Sequence, residues 1–211
     1  MEALLFDFDG VIIHSDPIKD SAFEYIFRDY PDHYTRFLPF HRENGGVSRY
    51  DKIRYFHGDL LGSPIDETEV NRIASEFSAY IFDQLCKPEC LIQDACSQLA
   101  LLSELHPLHI VSASDEKELK SICDAQGLST HFRSIHGSPG TKSEIVKRVF
   151  DSFGYLPSRT LLVGDSKNDY LAAREHGIPF YGYNNEALRG LEGGLYLESF
   201  EELTAIVSSS D

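Results

Sequence analysis

The chain is punctuated by short apolar runs without charge, each ending at a polar residue and a turn. Leu4-Leu5-Phe6 leads into Asp7 and Asp9-Gly10, and Leu108–Val111 into Ser112. Thr160–Val163 leads into Gly164-Asp165, and Ile178–Tyr181 into Gly182. Such runs are the pattern of strands covered on both faces, as in a parallel sheet. Between them the period changes to that of a helix. Ile92, Ala95, Cys96, Leu99 and Leu102 predict a helix over 92–104. Leu119, Ile122 and Cys123 predict one over 115–126, opened by Asp115 with Glu118 three residues on and stopped before Gly127. Ile145, Val146, Val149 and Phe150 predict one over 142–153, behind the capping box of Thr141 and Glu144. A fourth spans 167–176 and ends before Gly177. Strand and helix alternating from residue 92 onward predict an α/β core built on a doubly wound parallel sheet.

Residues 16–88 follow a different pattern, aromatic and helix-periodic with no clear strand. Ala22, Tyr25, Ile26 and Asp29 form one stripe, Ile53, Phe56, Leu60 and Leu61 a second, and Ile73, Phe77, Tyr80 and Ile81 a third. This block predicts a helical domain inserted into a core of residues 1–15 and 89–211. Its hinges fall near Ser15-Asp16-Pro17 and Lys87-Pro88. No internal repeat or low-complexity segment interrupts the pattern, and the tail Ser208–Asp211 is expected to fray.

Composition narrows the partners. The 211 residues are 42% hydrophobic and 25% charged, a folded composition, with a formal charge of −15. A surface this acidic repels nucleic-acid backbones and anionic membranes. A small phosphate ester stays possible, because a local cation cluster or a metal reverses the sign inside a pocket. No apolar run approaches a membrane span, and MEALLFDFDG lacks the features of a signal peptide. Cys86, Cys90, Cys96 and Cys123 form no CxxC pair and read as reduced thiols of a cytoplasmic protein.

The polar residues at the strand ends carry the chemistry. In open parallel sheets the ligand lies outside the carboxyl ends of the strands. Asp7 and Asp9, Ser112, the loop with Lys142, and Asp165 with Asp169 would all reach that edge. Carboxylates crowded together are costly unless a cation sits among them, and Mg²⁺ suits oxygen ligands beside a substrate phosphate. Each motif alone has a plainer explanation: a turn for Asp-Gly, a backbone contact for Ser112, solvent for Lys142, an N-cap for Ser166. Together and in order, each at an element boundary, they point to a site.

The order and spacing resemble the haloacid dehalogenase-like hydrolase superfamily over nearly the whole chain. Asp7-Phe8-Asp9-Gly10-Val11 matches its first motif, Ser112 after His109-Ile110-Val111 its second, Lys142 its third, and Gly164-Asp165-Ser166-Lys167-Asn168-Asp169 its fourth. The helical insert is similar to the cap of the phosphoglycolate phosphatase and β-phosphoglucomutase branch. The resemblance implies a Rossmann-like core with a helical cap and a Mg²⁺-dependent phosphatase acting on a small phosphorylated metabolite. Asp7 would be the nucleophile, forming an aspartyl-phosphate, and Asp9 the acid and base. Mg²⁺ would be held by Asp7, the Asp9 carbonyl, Asp165 and, directly or through water, Asp169. Lys142 and Ser112, with the N–H groups near Phe8, Asp9 and Ala113, would hold the phosphoryl oxygens. The second Asp of the first motif favours phosphoryl transfer over carbon–halogen cleavage.

In the cap, Asn44-Gly45-Gly46-Val47-Ser48-Arg49 offers a mobile turn, with Ser48 and Asp51 capping the next helix. Arg49 and Lys52 beside it are candidate substrate contacts, with a solvated surface role as the alternative for Arg49; Lys19 is open in the same way. His14 and His41 read as ordinary surface or core residues. A phosphomutase of the same fold, and a non-catalytic binding module, are the competing readings. The physiological substrate and the oligomeric state are not readable from the sequence.

Overall fold

The computed structural model describes residues 1–45 and 47–209. Gly46, the second glycine of the cap loop, and the last two residues of the tail lie outside the described residues. Six strands form one parallel sheet: β1 (Ala3–Phe6), β2 (Leu108–Asp115), β3 (Ser134–Ser138), β4 (Thr160–Gly164), β5 (Phe180–Gly182) and β6 (Gly194–Tyr196). Their order is β3-β2-β1-β4-β5-β6. The direction of winding reverses between β1 and β4, so a crevice opens beyond the carboxyl ends of these two central strands.

Alternation along each strand divides the core in two. Leu4, Phe6, Leu108, Ile110, Leu161 and Val163 join one buried cluster. It takes in the apolar sides of α5 (Gln93–Leu105), α6 (Glu116–Ala125) and α9 (Phe200–Ser208). Leu5, Val111 and Leu162 join the other, with α7 (Lys142–Phe153) and α8 (Lys167–His176). The capping box of Thr141 and Glu144 forms as the sequence predicts, and Gly154 ends α7 in the left-handed region at φ 70°.

The helical block lies between β1 and α5. It comprises α1 (Asp16–Ile26), α2 (Pro31–Glu43), α3 (Arg49–Tyr55), which runs on into a wider turn at 56–60, and α4 (Glu67–Leu85). Phe23, Phe27, Phe37, Phe56 and Phe77 fill its centre, all fully or almost fully buried. The two chain crossings that carry this cap run side by side. His14 N–H donates to the Cys90 carbonyl at 2.7 Å and Ile92 N–H to the Ile12 carbonyl at 2.9 Å. Ile13 and Leu91 pair there as an antiparallel bridge.

Four elements go beyond the sequence reading. β3 and β6 are edge strands with little apolar content; pairing with β2 and β5 extends them. α2 buries only Phe37 and His41 and holds Pro39, so its stripe is weak. α9 buries Phe200, Leu203, Thr204 and Val207. The strand expected over 178–181 begins at Phe180. Pro179 has no N–H to donate, and that of Ile178 is taken by the Ala173 carbonyl at 2.8 Å. All four cysteines are free thiols.

Candidate active site

Asp7 is the first residue past β1, and its N–H continues the ladder by donating to the Val163 carbonyl at 2.9 Å. That anchor places its carboxyl in the crevice between β1 and β4. The Phe8 N–H donates to Asp7 Oδ1 at 2.6 Å, and Lys142 Nζ lies 2.8 Å from the same oxygen. Lys142 opens α7, where a cation opposes the helix dipole. Its ammonium is almost fully buried and has three acceptors: Asp7, Asp169 Oδ1 at 2.7 Å and the Val111 carbonyl at 2.8 Å. Burial pushes this ammonium toward neutrality, but Asp169 and Asp7 outweigh it and hold Lys142 well above its usual range.

Asp165 and Asp169 bracket the start of α8. Asp169 accepts from the N–H of Ser166 at 3.0 Å and from its hydroxyl at 2.6 Å, closing a second capping box. Asn185 Nδ2 donates to the Asp165 carbonyl at 2.7 Å and Asn184 Nδ2 to the Gly10 carbonyl at 3.0 Å, so the loop after β5 braces both halves of the site. Gly10 makes the close approach possible. Its φ is +71°, and a Cβ there would lie 1.9 Å from Asp165 Oδ2.

Asp7, Asp165 and Asp169 each offer an oxygen within 4.8 Å of the other two. Burial, then the charge of Asp169, raises Asp7 to about 8 despite Lys142; burial and Asp7 also push Asp165 well above the carboxylate range. Three carboxyl groups this close, in so little water, fit a hard divalent cation, which takes oxygen ligands and offsets the repulsion. The Asp9 carboxylate is not part of this group. It accepts from Ser15 Oγ at 2.5 Å and Ser114 Oγ at 2.8 Å and pairs with Lys19 at 2.6 Å. Burial pushes Asp9 up, but Lys19 and the two hydroxyls prevail and hold it ionised far below its usual range.

Ser112 is fully buried. Its Oγ accepts from the Ser114 N–H at 3.1 Å and reaches Asp9 Oδ2 at 3.5 Å, while Ala113 and Ser114 face the open space. That space is a cavity of about 810 Å³ between core and cap. Asp7, Asp9, Ala113, Ser114 and Asp165 line it from the core, and Lys19, His41, Arg49 and Lys52 from the cap.

The structure therefore brings Asp7, Asp9, Lys142, Asp165 and Asp169 to one edge, with Phe8, Ser112 and Ala113 around them. Arg49 is buried rather than solvated, and its guanidinium is already engaged. It forms a two-pronged pair with Glu118 of α6, donates to Ser78 Oγ at 2.6 Å and lies 4.7 Å over the Phe77 ring. Lys52, also buried, donates to His41 Nδ1 at 2.8 Å. Lys19 as the partner of Asp9 escapes sequence reasoning because the two meet only once the cap docks; Ser15 and Ser114 around Asp9, and His41 as the partner of Lys52 within the cap, escape it because only tertiary packing brings them together.

The chain matches the haloacid dehalogenase-like hydrolase family over residues 4–183. A phosphoglycolate phosphatase of Haemophilus influenzae is 27% identical over 96% of this chain and 96% of its own length. A 5'-nucleotidase of Pseudomonas aeruginosa is 27% identical over 98% of this chain and 95% of its own. Among solved structures, a β-phosphoglucomutase of Clostridium difficile superposes with a TM-score of 0.77 at 17% identity, over 99% of this chain and 98% of that one. This last likeness concerns the fold. No helix of the described residues is long and apolar enough to cross a membrane.

Proposed function

We propose that this chain, which belongs to the haloacid dehalogenase-like hydrolase family, is a Mg²⁺-dependent phosphatase that hydrolyses a small phosphate monoester through an aspartyl-phosphate on Asp7. The observation that carries the reading is the fixing of Asp7. One of its oxygens is held by the Phe8 N–H and by Lys142, and its carboxyl lines the cavity at the carboxyl end of β1. A carboxylate so oriented is a nucleophile aimed at whatever fills the cavity.

An anionic nucleophile and an anionic phosphate repel, so the task is charge neutralisation and alignment. Asp7, Asp165 and Asp169, with the Asp9 carbonyl, would hold Mg²⁺, which would supply the positive charge that keeps Asp7 ionised and offsets the phosphoryl oxygens. Lys142 adds a fixed charge beside Asp7, and the N–H groups of the turns at Asp9 and Ala113 offer donors to the phosphoryl group, while the buried Ser112 hydroxyl shapes the second turn by accepting from the Ser114 N–H. The Asp7 carboxylate attacks phosphorus, and the ester P–O bond breaks toward the leaving oxygen. Asp9 gives that oxygen a proton. It then takes one from the water that attacks the aspartyl-phosphate, and inorganic phosphate leaves with Asp7 restored. Paired with Lys19, Asp9 is in the basic form that the second step needs. The dianionic ester arriving beside it raises its proton affinity, so that Asp9 takes up a proton from solvent before the first step and recovers it from the attacking water in the second.

The test is phosphate release from a panel of small monoesters, with chelator and with added Mg²⁺. Rapid acid quench after a ³²P-labelled ester should label the wild-type protein and leave Asp7→Asn unlabelled. Full activity in chelator, or equal labelling of Asp7→Asn, would overturn the assignment.

A further inference from the structure

The cap wall of the cavity holds a charge that the phosphatase reading does not use. Lys19 is matched by Asp9 at 2.6 Å and Arg42 by Asp20 at 2.8 Å, while Arg49 is locked into its pair with Glu118. Lys52, 3% exposed, is the buried cavity cation with no carboxylate at ion-pair distance among the described residues. Among the described residues its Nζ hydrogen-bonds to His41, through Nδ1 at 2.8 Å and the carbonyl at 3.3 Å, and lies 5.9 Å over the Phe23 ring. An ammonium has no lone pair, so it is the donor and Nδ1 the acceptor. The His41 proton is thereby placed on Nε2, 3.2 Å from Asp20 Oδ1. Burial and the cations Lys52, Lys19 and Arg42 hold this ring neutral. The charge on Lys52 thus ends at a neutral imidazole, with one face toward the cavity.

A buried ammonium without a counter-ion is costly, and an anion that enters the cavity supplies what is missing. Arg49 cannot serve in its place without leaving Glu118, itself 8% exposed, buried and unmatched. Resting on the phosphatase reading, we infer that Lys52 binds a second anionic group of the substrate, a carboxylate or a second phosphate, carried on the alcohol side of the ester. The core would then take the phosphoryl group being transferred, and Lys52 would select which alcohols reach it.

The surroundings tune this site. Burial, and then Lys19, push Lys52 down to about 7, against Asp9 of the core and Asp16 and Asp20 of α1. His41 and Arg42 face it from α2, and Arg49 lies on its own helix. Selection for the second anion should therefore weaken as the pH rises through neutrality.

The test is calorimetric binding in Mg²⁺ of three non-hydrolysable probes: phosphonoacetate, methylenebisphosphonate, and phosphonoacetamide as the neutral isostere. One of the two anionic probes should bind wild type at least about tenfold more tightly than the amide near pH 6, the gain of one charged hydrogen bond. Which of them does so tells carboxylate from phosphate. Lys52→Met should abolish that preference and leave binding of the amide unchanged. Lys52→Arg should keep it, and the ratio of wild-type to Lys52→Arg affinity for that probe should fall between about pH 6 and about pH 8.5, a comparison that cancels the probe's own titration. The inference is overturned if wild type does not prefer either anionic probe, or if Lys52→Met weakens the amide as much as the anion. Binding that depends on Lys52, with no metal-dependent hydrolysis of any ester, would instead overturn the phosphatase reading and leave the anion site standing.

Discussion

Arg49 and Glu118 belong to different parts of the molecule: Arg49 opens α3 of the cap, and Glu118 lies on α6 of the core. Removing one partner of a buried pair typically costs ~3–5 kcal/mol, because the other is left buried and charged. For Glu118→Gln the lower end applies, since Arg49 keeps Ser78 and the Phe77 ring. The loss should appear in the docking of cap on core, where few other polar links exist. Among the described residues these are Tyr50 to Asp115 at 2.9 Å, Lys19 to Asp9 and, at 3.2 Å, to Ser114 Oγ, and Gln126 to the Leu85 and Lys87 carbonyls at 2.8 Å each. The assay is a double-mutant cycle of Glu118→Gln, Arg49→Met and both together. It is read by native-state hydrogen exchange of α3 and α6 and by the radius of gyration in solution. Each single variant should open the cap, and the double variant should lose less than the sum by ~2 kcal/mol or more. Arg49→Met should also slow anionic and neutral esters alike. Strictly additive losses would refute the cross-domain pair. Selective loss on one substrate with the cap still closed would return Arg49 to substrate binding.

Asp7→Asn should abolish turnover, and Asp9→Asn should lower it ~10²–10⁴-fold, more for alkyl than for nitrophenyl esters; equal losses on both would contradict an acid role for Asp9. Metal-free protein should lose thermal stability as the pH rises. Asp7, raised to about 8 in the fold, binds a proton there that the unfolded chain has given up above about 4, so its stabilising share is present below that pH and gone above about 8. Mg²⁺ should accordingly raise the melting temperature more at high pH than at low, as thermal scans across the range would show. Gly10→Ala forces a side chain against Asp165 at a positive φ, and should weaken Mg²⁺ binding in calorimetry more than it lowers the melting temperature.

Much of this molecule is legible in its sequence because the chemistry lies at element boundaries. Asp7, Lys142 and Asp165 each follow an apolar strand or open a capped helix, and both signals are local. β3, with only Ile135 as a large apolar residue, and β6, which exposes Leu195, lack such a signal, since edge strands take their form from a neighbour. The cap residues are harder for another reason. Arg49 and Lys52 share one helix and look alike in the chain, yet one meets Glu118 and the other His41. That difference is set by partners 69 and 11 residues away. Lys19 is likewise a surface lysine by pattern, and only the docked cap carries it to Asp9.

The paired crossings at Ile12–His14 and Cys90–Ile92 have an evolutionary corollary. A helical block whose two ends are stapled together can be lengthened, exchanged or trimmed to a loop without reordering a single strand. Asp7 lies before the first crossing, and Lys142, Asp165 and Asp169 after the second. On the proposed function, the residues that act on phosphorus and those that choose the alcohol could thus be inherited separately, so that a descendant would acquire a new substrate by changing its cap while the reaction stayed the same.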